Sequence, residues 1–99
     1  MSLIYHIVSA ADWTKFNGQP DYEAASLQTE GFIHLSQQGQ VAGTLRRYYQ
    51  DVPNLLLLHV DTDKLTHELK YEPSRNTELF PHLYGPLNKD AIVQIERIN

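Results

Sequence analysis

Two runs constrain this chain most: "LIYHIV" at residues 3–8 and "LLLLHV" at residues 55–60. Neither run has a polar side. In the first, Leu3, Tyr5 and Ile7 project one way and Ile4, His6 and Val8 the other. A strand of that kind has to be covered on both faces. The chain has 99 residues, enough for one domain over 1–99 and one core of about two layers. Such a domain buries roughly two-thirds of the surface of its unfolded chain.

The remaining segments fill in the layers. After the first strand, Ser9 followed by Asp12 resembles a capping box and predicts a short helix to about Phe16. Gly18, Pro20 and Asp21 then read as loop. "GFIHLS", residues 31–36, reads as a second strand. Val41, Leu45 and Tyr48 recur at helical spacing within 37–49, a second helix ended by Asp51, Pro53 and Asn54. "HELKYE", residues 67–72, alternates. His67, Leu69 and Tyr71 are expected inward; Glu68, Lys70 and Glu72 outward. Residues 73–90 read as a long proline-rich loop, and residues 91–98 as a closing strand. This order predicts an α+β fold: a mostly antiparallel sheet with two helices.

Composition narrows the function. Hydrophobic residues make up 41% and charged residues 20%, a globular balance. With eight basic against twelve acidic side chains and a net charge of −4, the chain lacks the clustered cations that nucleic acid requires. Arg46 and Arg47 form its one adjacent basic pair. No nucleic-acid or membrane partner is expected. The longest apolar run, 55–58, is far too short to span a bilayer. The absence of cysteine rules out disulfides, thiolate nucleophiles and Cys-ligated zinc. It fits a cytoplasmic location, as does a start without a basic region or apolar leader.

Two segments carry candidate chemistry. In "EGFIHLS" an imidazole, His34, interrupts apolar residues, and Ser36 stands where a helix N-cap is expected. His34 beside unpaired helix N–H groups would suit a phosphate or a proton transfer. The competing reading makes His34 a hydrogen-bonded core residue and Ser36 only a cap. In "LFPHLYGPL", residues 79–87, Pro81 and Pro86 stiffen the chain, and His82 and Tyr84 point to one side if it is extended. Gly43, inside the second helix, predicts close approach by another backbone or a ligand. His6 is expected to be buried, with a lowered pKa and a neighbouring carbonyl. His59 and His67 read as structural or exposed. A three-histidine zinc site is not expected, because no HxH or HxxxH spacing occurs. Two-histidine phosphoesterases carry paired His-x-Ser/Thr tripeptides; "HLS" at 34–36 fits one, and "HLY" at 82–84 puts a phenol where the second hydroxyl should be.

Taken together, "IYHI", "SLQTEGFIHLS", "LLLLHVD" and "FPHLYGPL" resemble, in order and over nearly the whole chain, a bacterial family known as domain of unknown function 952. Many members have Cys after the motif histidine, where this chain has Leu35. The resemblance implies an ADP-ribosyltransferase-like split sheet holding NAD or a related nucleotide. His6 then matches the ribose-binding position and His34 the next. Glu72 and Tyr84 compete for the third position, often a glutamate. The expectations are therefore catalytic roles for His34, His82 and Tyr84, and ligand contacts for His6, Ser36, Gly43 and Glu72. The expected ligand is a phosphorylated small molecule, with NAD the cofactor the resemblance implies. The alternative is a binding or sensing module without turnover.

Overall fold

A computed structural model describes residues 1–74 and 77–99. The elements run β1 (Leu3–Ser9), α1 (Ala10–Thr14), β2 (Asp21–Tyr22), α2 (Ala25–Glu30), β3 (Ile33–His34), α3 (Val41–Tyr48), β4 (Leu55–Asp61), β5 (Glu68–Pro73), β6 (Leu79–Tyr84), β7 (Leu87–Asn88) and β8 (Ile92–Arg97). The fold is α+β, with three small antiparallel sheets ordered β1-β4-β8, β2-β7 and β3-β6-β5. A bridge between Tyr5 and Ser36 ties β1 to the end of β3.

The two-faced runs meet the demand their sequence makes. Ile4, Val8, Leu58 and Val60 pack from the first sheet against Ile33, Leu35, Leu83 and Leu87. On its other face, Tyr5, Ile7, Leu55 and Leu57 meet Val41, Leu45 and Tyr49 of α3. Leu58 and Val60 are fully buried, each gaining about 1.5–3 kcal/mol from leaving water. Ser9 caps α1 as expected, its hydroxyl accepting from the Asp12 N–H.

Three readings change. A third helix, α2, precedes β3 and ends at Gly31, whose φ of 88° lies in the left-handed region that favours glycine. Ser36 is not a cap. Its N–H and C=O are bridged to Tyr5, and Gln37 caps the 3-10 turn Gln38–Gln40 that leads into α3. Residues 73–90 are not mainly loop, since β6 and β7 lie within them. Pro81 sits inside β6, the middle strand of its sheet. Its carbonyl accepts from the Leu35 N–H, just past the end of β3. The N–H that proline lacks would point to that same edge, where the ladder is already stopping. After β6 the chain turns at Gly85, where an added Cβ would lie 2.5 Å from Cδ2 of His67; only glycine leaves room for that ring.

Candidate functional site on the third sheet

The site is built on the face of β3-β6-β5 that points away from the core. His34 stands opposite His82, and His82 opposite Lys70. Directly paired residues of an antiparallel sheet share a face, so the three side chains form one row. Phe80 is opposite Glu72 and Tyr84 opposite Glu68 on the same face. The other face carries Ile33, Leu83 and Leu69 into the core.

Local structure fixes the row. The Ser26 hydroxyl donates to the Phe32 carbonyl at 2.8 Å, setting the turn from α2 to β3. Glu30, in the last turn of α2, lies 3.0 Å from His34 Nε2. The side-chain amides of Gln37 and Gln40 both donate to the Leu79 carbonyl, at 2.9 and 2.7 Å, and hold the start of β6.

His82 is the most constrained member. Its Nδ1 donates to Glu72 Oε1 at 2.8 Å, and the Tyr84 hydroxyl donates to the same oxygen at 2.6 Å. Phe32 stacks on its ring with centroids 4.1 Å apart, and the His34 ring meets it edge-on at 5.3 Å. With Nδ1 committed to the carboxylate, Nε2 carries the lone pair of the neutral ring. Nε2 makes no hydrogen bond among the described residues, and the ring is largely covered, with the His82 side chain 8% exposed. Hydrogen bonds from Tyr84 first and His82 second hold the Glu72 carboxyl below the usual range, and the bond to Glu72 raises the Tyr84 phenol. Lys70 Nζ lies 5.0 Å over the Tyr84 ring and 4.0 Å from Glu68.

The other expected residues lie off this face. His6 is buried, with Nδ1 donating to the His34 carbonyl at 2.7 Å and Nε2 accepting from the Tyr22 hydroxyl at 2.9 Å. Burial lowers its pKa from 6.5 to about 4, against the bond to the carbonyl, which raises it. Both ring nitrogens are therefore occupied inside the protein. Ser36 Oγ is buried 3.4 Å from Thr44 Oγ1. Gly43 is exposed, with nothing within 4 Å of where a Cβ would stand, so no backbone approaches it closely. The N–H groups of Ser36 and Gln37 bond to Tyr5 O and Gln40 Oε1, which leaves no N–H for an anion at those positions. Neither "HLS" nor "HLY" presents an uncommitted hydroxyl, since Ser36 faces Thr44 and Tyr84 donates to Glu72.

His59 pairs with Glu96 at 2.9 Å, and His67 with the Pro86 carbonyl at 3.1 Å. Among the described residues, no group of three or more His, Asp or Glu is placed to hold a metal ion. Two open surface hollows, one beside Phe16 and Pro20 and one beside Leu45 and Tyr49, contain none of the candidates. Of the candidates, His34, His82, Tyr84 and Glu72 meet on the outward face of the third sheet, and His6, Ser36 and Gly43 do not join them. Sequence reasoning missed Lys70, Phe32 and Glu30. The alternation of "HELKYE" was the available signal for Lys70, since it sets Lys70 on the same side as Glu72.

Residues 7–95 match the family described as protein of unknown function (DUF952). The chain belongs to the DUF952 family. It is similar to protein CC0527 from Caulobacter crescentus, whose X-ray structure matches at a TM-score of 0.90 with 36% identity, over 99% of this chain and 87% of that one. The solution NMR structure of CC0527 matches at 0.84 with 37% identity, over 100% of this chain and 86% of that one. No curated protein matches. The DUF952 match covers every residue of the row, and no helix among the described residues is long and apolar enough to cross a membrane.

Proposed function

We propose that this domain binds a phosphorylated small molecule on the outward face of β3-β6-β5 and that His82 accepts a proton there in a transfer or hydrolysis step. One observation carries the reading. Glu72 holds Nδ1 of His82, leaving Nε2 as the outward base, with the second imidazole, His34, beside it. An imidazole oriented by a carboxylate is the usual form of a positioned general base. His34, backed by Glu30, supplies a second proton-transfer group. Nucleotides are the favoured ligands, with NAD and ADP-ribose first. For ADP-ribosyl transfer the acidic role falls to Glu72, whose carboxyl is held ionised. Such chemistry would take place in the cytoplasm, the compartment that fits a cysteine-free chain.

The placement of the row on a sheet face favours a second reading, a binding or sensing module without turnover, because neither surface hollow includes the row. One experiment separates the two. Wild type and His82→Gln are incubated with NAD and ADP-ribose, with melting temperature and phosphorus NMR as readouts. A ligand-induced rise in melting temperature that His82→Gln loses supports the site. New phosphorus signals from wild type alone support catalysis, and an unchanged ligand supports the module. No shift with either ligand overturns the nucleotide reading.

A further inference from the structure

We infer that Lys70 is the third member of the site and that the row His34–His82–Lys70 takes a ligand with two adjacent anionic groups, a diphosphate. The inference rests on the reading above and names its ligand class. The registers place these three residues side by side on three consecutive strands. Adjacent strands lie about 4.8 Å apart, so the row extends about 10 Å. A single phosphate bridges the two imidazoles; two linked phosphates reach Lys70 as well.

Each nitrogen-bearing group is backed by one carboxylate and keeps capacity beyond it. His34 faces Glu30 at 3.0 Å through Nε2, and His82 faces Glu72 at 2.8 Å through Nδ1. Lys70 faces Glu68 at 4.0 Å. An ammonium has three donors, so one contact with Glu68 leaves Lys70 able to donate elsewhere. The side chains of Lys70 and His34 are about half exposed, at 48% and 53%. The ring of Tyr84 beneath Lys70 Nζ keeps the ammonium over the sheet face.

Charge sets the condition for binding. The titratable groups around the row are Glu30 from α2, His34 from β3, Glu68, Lys70 and Glu72 from β5, and His82 and Tyr84 from β6. With both imidazoles neutral, three carboxylates face one ammonium. With both protonated, three cations face three carboxylates, the state that holds the anion and from which His82 must lose its proton before it can serve as the base. A diphosphate therefore binds with proton uptake, more tightly in mildly acidic buffer than in alkaline buffer.

The test is calorimetric titration of the whole domain with inorganic pyrophosphate and with orthophosphate, at pH 6 and pH 8. Wild type, Lys70→Gln, His82→Gln and the remote control Lys64→Gln are compared, with circular dichroism to verify folding. The expected result is tighter binding of pyrophosphate than orthophosphate at pH 6, weakened at pH 8. Lys70→Gln should lower pyrophosphate affinity by about tenfold to a hundredfold, the size of one hydrogen bond from a charged group. It should leave orthophosphate unchanged, and Lys64→Gln should behave as wild type. If Lys70→Gln or Lys64→Gln breaks this pattern while His82→Gln still abolishes binding, the diphosphate row is wrong and the site stands. If neither anion binds wild type, or if binding survives His82→Gln, both the row and the site are overturned.

Discussion

In β4 the alternation of the chain is used up by two apolar faces: Leu55 and Leu57 toward α3, Leu58 and Val60 toward the third sheet. In β5 only Leu69 turns toward the core, while Glu68, Lys70 and Glu72 face outward. Two of the histidines, His6 and His82, are held in opposite ways. His6 from the first sheet has both nitrogens bonded within the protein and sits where its charged form is penalised. His82 in the third sheet has one nitrogen fixed by a carboxylate and the other without a hydrogen bond among the described residues. His6 is a fastener with both nitrogens engaged and His82 is engaged through one, and the difference lies in what the second nitrogen meets.

Replacing the fastener should cost most. His6→Ala leaves the Tyr22 hydroxyl and the His34 carbonyl unpaired in the core and is expected to lower stability by about 3–4 kcal/mol in urea titration. His82→Ala, which loses stacking on Phe32 and one contact, should cost about 1–2 kcal/mol. Equal costs would erase the contrast between the two rings.

The next effect appears in acid. The pKa of His6 falls from 6.5 to about 4 on folding, so between those values the unfolded chain binds the extra proton. Stability therefore rises with pH across that window, is complete above 6.5, and loses about 3 kcal/mol by pH 4. The Glu72 carboxyl, held low in the folded state, gives a further loss only as pH drops through the carboxylate range. Urea midpoints measured from pH 7 to 3 on wild type and His6→Gln check the order, with the variant keeping only the lower loss. A variant curve that still falls between pH 6.5 and 4 would assign that proton elsewhere.

The smallest effect on stability should be the most informative about the site. Glu72→Ala leaves the fold intact and removes the acceptor that fixes the His82 tautomer. Nitrogen-15 NMR of the imidazoles should show the Nδ1-protonated form of His82 in wild type and a mixture in the variant. An unchanged tautomer would mean that Glu72 does not orient the ring.

The sequence made the first sheet readable because apolar residues on both faces of a strand leave few alternatives. It also placed His82 and Tyr84 on one side, as β6 bears out. The strand itself went unread because Pro81 argues against a central position, and only tertiary structure shows that its missing N–H faces the end of β3. Helix α2 is six residues long without a side-chain cap, so no local signal announced it. Ser36 misled because a serine between a strand and a helix suits a cap, yet its backbone was already committed to Tyr5. Lys70 was legible in the alternation of β5, but its neighbour His82 stands twelve positions further along the chain, and only pairing reveals the row.

Because β5 is the last strand of its sheet, its main chain offers an open ladder to any stray strand. Charged side chains, lysine above all, discourage such docking. Lys70 and Glu68 thus protect the molecule from sticking to its copies, and a variant stripped of them would be tested by its shelf life in solution as much as by any ligand.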